Sequence, residues 1–151
     1  MSHLFNILEL GPAEHVPQSS YEFIRNESSQ LYFAKVSCLV EHAEQDVQIY
    51  NGFSMDEFKR MPESQKHWYR AWISSARMGA RTASLHLQNQ HHITGCRITI
   101  LSVMGSVRET TVNAVFCAAL MAAWQGLNID QPLPELDYID GRWVPYLAAT
   151  A

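Results

Sequence analysis

The spacing of apolar positions changes period several times along this 151-residue chain, and the changes mark its elements. Leu31–Val40 is rich in aromatic and β-branched residues, which predicts a strand. Asp46–Phe53 reads as its hairpin partner, with Glu41–Gln45 as the turn. From His67 to Leu87 the period lengthens. Trp68, Trp72, Ala76, Gly79 and Ala83 recur at three- and four-residue steps, the spacing of one helix face. Arg97–Val103 alternates again and predicts a buried strand. It runs into a tight polar loop, Gly105-Ser106-Val107-Arg108-Glu109, and then into Thr111–Trp124, which is apolar on most sides. A helix apolar nearly all round is a buried one. Its alanines, with Gly79 on the preceding helix, predict a close approach of the two backbones.

The remaining segments are shorter. Leu4–Leu10 is a brief apolar piece followed by a Gly-Pro connector. Ser54, with Glu57 three residues later, has capping-box spacing for a short helix over Met55–Phe58. Pro62 then suits the first turn of the long helix. Gly126 is placed to end the alanine-rich helix in a left-handed conformation. Pro132, Pro134 and Pro145 predict an extended tail, with an edge strand near Arg142–Tyr146. The coarse order is β-β-α-β-α. That order predicts an α+β sandwich in which two helices pack on one face of a small mixed sheet. We expect a single domain over residues 1–151, with 1–27 as an N-terminal extension, 28–126 as the core and 127–151 as a C-terminal tail.

Charge and cysteine content narrow the function classes. The net charge is −4, which argues against a free-standing polyanion binder, because nucleic-acid affinity rests largely on basic groups that neutralise phosphates, but leaves room for a local basic face. Cys38, Cys96 and Cys117 form no close pair, a pattern of buried thiols in a reducing compartment. The first residues carry no basic stretch followed by a long apolar run, so we expect a cytoplasmic protein without a signal peptide or membrane association.

Two stretches carry a family likeness. Gln30-Leu31-Tyr32-Phe33-Ala34-Lys35-Val36 looks like a Gly-Gln-Tyr-Gly/Ala-x-Val opening strand with one residue inserted. Gly105-Ser106-Val107-Arg108-Glu109 and its alanine-rich helix look like a strand, then Gly-Ser-Tyr-His-Asp, then a helix rich in Ala, Phe and Lys. Over residues 28–126 the chain thus resembles the fourth domain of bacterial translation elongation factor G, which has the ribosomal-protein-S5 domain-2-like fold. The family's tip histidine is Arg108 here, and its tyrosine is Val107. No Gly-x4-Gly-Lys-Ser/Thr phosphate loop is present, so the likeness is to that domain alone, without its GTPase. The resemblance implies a module whose tip loop, Gly105, Ser106, Arg108 and Glu109, reaches RNA or the ribosome.

Three constellations are candidates for chemistry. Lys66, Arg70, Arg77 and Arg81 are spaced by 4, 7 and 4, which at 100° per residue places them in one sector of the long helix. They form either a phosphate-binding stripe or an ordinary solvated face. His86, His91 and His92 could ligate a metal, or be solvated loop histidines. The loop before the alanine-rich helix could hold an anion at the helix N-terminus, with Arg108 as a charged donor, or simply cap that helix through Thr110 or Thr111. The enzyme templates are missing: there is no Gly-x-Ser-x-Gly, His-Glu-x-x-His, Cys-x-x-Cys or dinucleotide fingerprint. The sequence therefore leans to a non-enzymatic binding module without a cofactor, whose partner is RNA, the ribosome or another protein. A small enzyme with a His-ligated metal and a self-associating homodimer remain as alternatives.

Overall fold

The computed structural model describes residues 7–10, 19–52 and 55–147. The expected Ser54 cap lies outside them. In chain order the elements are β1 (Ile7–Leu10), β2 (Ser19–Glu27), β3 (Gln30–Ala43), β4 (Val47–Asn51), α1 (Met55–Arg60), α2 (Glu63–Asn89), β5 (Gly95–Ser106), α3 (Val112–Gly126), β6 (Leu136–Ile139) and β7 (Arg142–Pro145). The architecture is α+β: two long helices pack on one face of a mixed sheet, and a separate β6–β7 hairpin leans on α3.

β5 organises the sheet. It pairs antiparallel with β3 along one edge. Its other edge is shared: β4 runs parallel beside Cys96–Ile100, and β1 antiparallel beside Val103–Ser106. β2 closes the far side of β3. Where β5 changes neighbour it also bulges. Ser37 pairs with Ser102 and Cys38 with Ile100, so β5 carries one extra residue, Leu101. A bulge reverses which residues face each side of the sheet. Ile98 and Ile100 face the helices before it, and Val103 does so after it. Leu101 is buried too, yet lies outside the helix-facing core.

The expected hairpin of Leu31–Val40 with Asp46–Phe53 is corrected. β3 pairs with β2 on one edge and β5 on the other, which leaves no free edge for β4. β4 instead joins β5 in parallel, and a parallel pair needs a long crossover, here supplied by α2. The true hairpin is β2–β3. Its turn is Ser28-Ser29, both at positive φ (52° and 65°), as the favoured two-residue hairpin turn requires. Residues 19–27, expected in an N-terminal extension, are thus an integral strand, and Phe23 is fully buried in the core.

The two helices meet through small residues. Ala76, Ala80 and Ala83 of α2 are buried with Ala119, Ala122 and Ala123 of α3. A Cβ on Gly79 would fall against the Phe116 carbonyl oxygen, with Ala119 Cβ and Leu120 N each at 3.1 Å. Only glycine permits that approach, as the sequence pattern predicts. Trp72 fills the core beside it, whereas Trp68 is only half-buried. The helix α3 starts as expected: the Thr111 side chain accepts from the Ala114 N–H at 3.0 Å. Its end is corrected. Gly126 is still helical, and the left-handed residue is Asn128 (φ 52°). Gly126 lies against Val40 and Ser19, where a side chain has no room.

Candidate anion-binding face

The long helix α2 is charged unevenly. Between Glu63 and Asn89 it carries Lys66, Arg70, Arg77 and Arg81, and Glu63 is its sole carboxylate. Glu63 pairs with Lys66 at 3.0 Å, and this is the ion pair seen among the described residues. The three arginines have no carboxylate partner there. Arg70 lies over the Phe58 ring of α1, 5.1 Å from its centroid, and Lys66 lies 5.3 Å from the same ring. Arg77 donates to the Ile49 carbonyl of β4 at 3.3 Å.

These contacts aim the arginines at one place. Arg70, Arg77 and Arg81 line a groove of about 400 Å³ between α2 and β4, with Ile49, Tyr69, Ile73, Ser74 and Met78 as its other walls. Lys66, fourth in the predicted stripe, is turned to Glu63 and Phe58 and is not part of that lining. The arginines span 11 residues, which at 1.5 Å per residue is about 16 Å of helix. Three guanidinium groups with no carboxylate partner among the described residues attract anions, and their planar forks suit phosphate oxygens. The sequence showed the stripe. It did not show Ile49, Tyr69 and Phe58, because helix periodicity says nothing of what lies beside a helix in space.

The tip loop is arranged differently. Gly105 and Ser106 belong to β5, and the turn is Val107–Glu109. Ser106, Glu109 and Thr110 are buried. The Ser106 hydroxyl donates to Glu109 Oε1 at 3.1 Å, and the Ser106 N–H donates to Thr110 Oγ1 at 2.7 Å. The Thr110 hydroxyl donates in turn to the Phe33 carbonyl, while the Phe33 N–H donates to that of Glu109 at 3.0 Å. A Cβ on Gly105 would meet Thr110 Oγ1 at 2.5 Å, so glycine is there to admit this side chain. Of the four loop residues picked from sequence, Arg108 alone is exposed. The other three lock the loop to β3.

The histidines separate. His86 and His92 line a second groove, of about 390 Å³, with Trp124, Gln131, Pro132, Pro134 and Glu135 among its walls. His86 stacks on Trp124 at 5.9 Å between ring centroids. Burial, and then the nearby His92, lower its pKa below the ordinary histidine value. His91 sits at positive φ (66°), is exposed, and does not line that groove. Among the described residues no three His, Cys, Asp or Glu side chains gather closely enough to hold a metal ion. Cys96 is buried by a hydrogen bond's reach from Ser84, and burial raises its pKa despite that bond.

A third groove, of about 620 Å³, was not signalled by the sequence. It lies between α2, α3 and β7, lined by Met78, Val112, Phe116, Trp143 and Val144 and also by Arg142. Met78 is 59% exposed and lines the arginine groove as well, so the two grooves adjoin across it.

No protein-family model matches the chain, and no curated protein does. Among solved structures, the chain is similar to a protein from Thermus thermophilus, with a TM-score of 0.49 and 11% sequence identity over 80% of this chain. The matched part is 16% of that protein's length. Among the described residues no helix is long and apolar enough to cross a membrane.

Proposed function

We propose that this chain is a cytoplasmic, non-enzymatic binding module that holds the phosphate backbone of RNA along the α2 arginines. The observation that carries this reading is the groove beside α2: Arg70, Arg77 and Arg81 share it, and no described carboxylate neutralises them. An acidic chain that concentrates arginines on one face, without carboxylate partners among the described residues, binds polyanions locally, through the release of counterions from the phosphates. The resemblance to the elongation-factor domain points to the same partner class. The surface differs from the one that resemblance implies, because Ser106 and Glu109 are spent on holding the loop in place, and Arg108 is left as a secondary contact.

The test is RNA affinity as a function of salt, in the wild type and in Arg77→Glu/Arg81→Glu. Binding that weakens with salt and is lost in the variant supports the reading. A wild type that ignores RNA, or a variant that binds as well as the wild type, overturns it.

A further inference from the structure

Around α2 the surface changes character in order. Taking 100° per residue from Lys66, the arginines fall between about 20° and 60°, Ser74 near 80°, Met78 near 120° and Ser75 near 180°. The stripe is therefore a ridge with a groove on each side. One is the arginine groove against β4. The other is the apolar groove against α3 and β7, which shares Met78 with the first and has Arg142 among its lining residues.

Exposed apolar surface here is contiguous. Met78 is 59% and Val112 49% exposed, and both face the groove with the half-buried Phe116 and Val144. At about 620 Å³ it falls within the range of roughly 300–1,000 Å³ typical of small-ligand clefts. Ser75 adds a hydroxyl to the walls. Asn113 also lines the groove, but its amide is engaged by the Trp143 backbone.

We propose that this groove takes an unpaired base of the same RNA whose phosphates lie on Arg70, Arg77 and Arg81, so that the ligand is single-stranded. The inference rests on the RNA reading and narrows it. Charge complementarity selects the occupant: Arg142 is among the residues that line the apolar groove, and Met78 joins that groove to the one lined by the α2 arginines. A strand whose phosphates lie on the arginines reaches the apolar groove with a base over Met78. A base presents a flat apolar face to Met78 and Val112, and methionine sulfur packs well on aromatic rings. In a duplex the bases are stacked inside the helix and cannot enter.

The experiment measures the affinity of a labelled 12-nucleotide uridine- or adenine-rich single strand and of a 12-base-pair RNA duplex, at one salt concentration. The proteins are wild type, Met78→Ser/Val112→Ser, and Val112→Ser alone. Both positions are solvent-facing and both changes are neutral in charge, so folding and the electrostatic attraction are retained. The proposal expects the single strand to bind about tenfold tighter than the duplex in the wild type. It expects the double variant to lose that preference while its duplex affinity stays unchanged, with Val112→Ser in between. Equal affinity for both RNAs in the wild type, or a preference that survives the double variant, overturns the base-binding groove and leaves the RNA reading standing. Binding of neither RNA overturns both. Poly-glutamate binding as tightly as the single strand also overturns the proposal, and assigns the surface to an acidic protein segment.

Discussion

The Asn113 side chain grips the Trp143 backbone at both ends: its amide donates to the Trp143 carbonyl at 2.8 Å, and its oxygen accepts from the Trp143 N–H at 2.7 Å. One residue near the start of α3 thereby fixes the β6–β7 hairpin. It seats the Trp143 indole against Phe23, Tyr32 and Tyr138, with ring centroids at 5.6, 6.0 and 5.0 Å. Asn113→Ala removes both bonds and strands two backbone groups in a part-buried site. We expect a loss of about 2 kcal/mol in urea unfolding, with a fall in tryptophan fluorescence anisotropy as the hairpin loosens. Stability equal to wild type would mean that the hairpin is held by its aromatic contacts alone.

Gly79→Ala reverses a common rule. Replacing glycine by alanine inside a helix ordinarily stabilises by about 1 kcal/mol. Here the added methyl meets the Phe116 carbonyl and the Ala119–Leu120 backbone, so α2 and α3 must move apart. The expected result is a net loss of about 1–3 kcal/mol, read as a lowered thermal midpoint. A raised midpoint would contradict the described helix contact.

The buried thiols set an alkaline limit. Burial pushes Cys38 and Cys117 up to about 12, from an ordinary value of 9.0. The folded state thus keeps protons that the unfolded chain gives up. The stabilisation is complete below pH 9 and is lost progressively as pH rises from there towards 12. Tyr32 is shifted in the same direction by its hydrogen bond with Tyr138 and by burial. Urea midpoints at pH 8 and pH 10.5 should differ, the latter being lower, and Cys38→Ala should narrow the gap. Under native conditions at pH 8 a thiol reagent should label neither Cys38 nor Cys117.

Much of this fold was legible because periodicity reports burial. The stripe Trp72, Ala76, Gly79 and Ala83 located α2, and the all-round apolar run located α3 together with its Thr111 cap. Strand partners were less legible. Asp46–Phe53 reads as a strand, but pairing depends on which edges are already filled, and both edges of β3 are. The β2–β3 turn escaped notice because Ser28-Ser29 lacks the Asn-Gly or Asp-Gly signature, although both residues reach positive φ. The bulge at Leu101 is silent as well: Ile98, Ile100 and Val103 show a break in alternation only once the β3 register is known.

The candidate sites divide the same way. Helical spacing grouped Arg70, Arg77 and Arg81, which line one groove, because a helix sets angles from sequence alone. The same spacing included Lys66, which Glu63 and Phe58 engage. In the tip loop the residue types were suggestive, but Ser106 and Glu109 are turned inward by contacts with Phe33 and Thr110, which are remote or unremarkable in sequence. His86 and His92 share a groove while the adjacent His91, at positive φ, does not line it.

The central claim is that the α2 arginines hold RNA phosphates. Its most direct test is fluorescence anisotropy of a labelled single-stranded RNA titrated with wild type and with Arg77→Glu/Arg81→Glu across a salt series. Three phosphate contacts predict a slope of log affinity against log salt of about −2, and the double variant should lose most of the binding and flatten the slope. A wild type that binds no RNA, or a double variant with unchanged affinity and slope, would contradict the account.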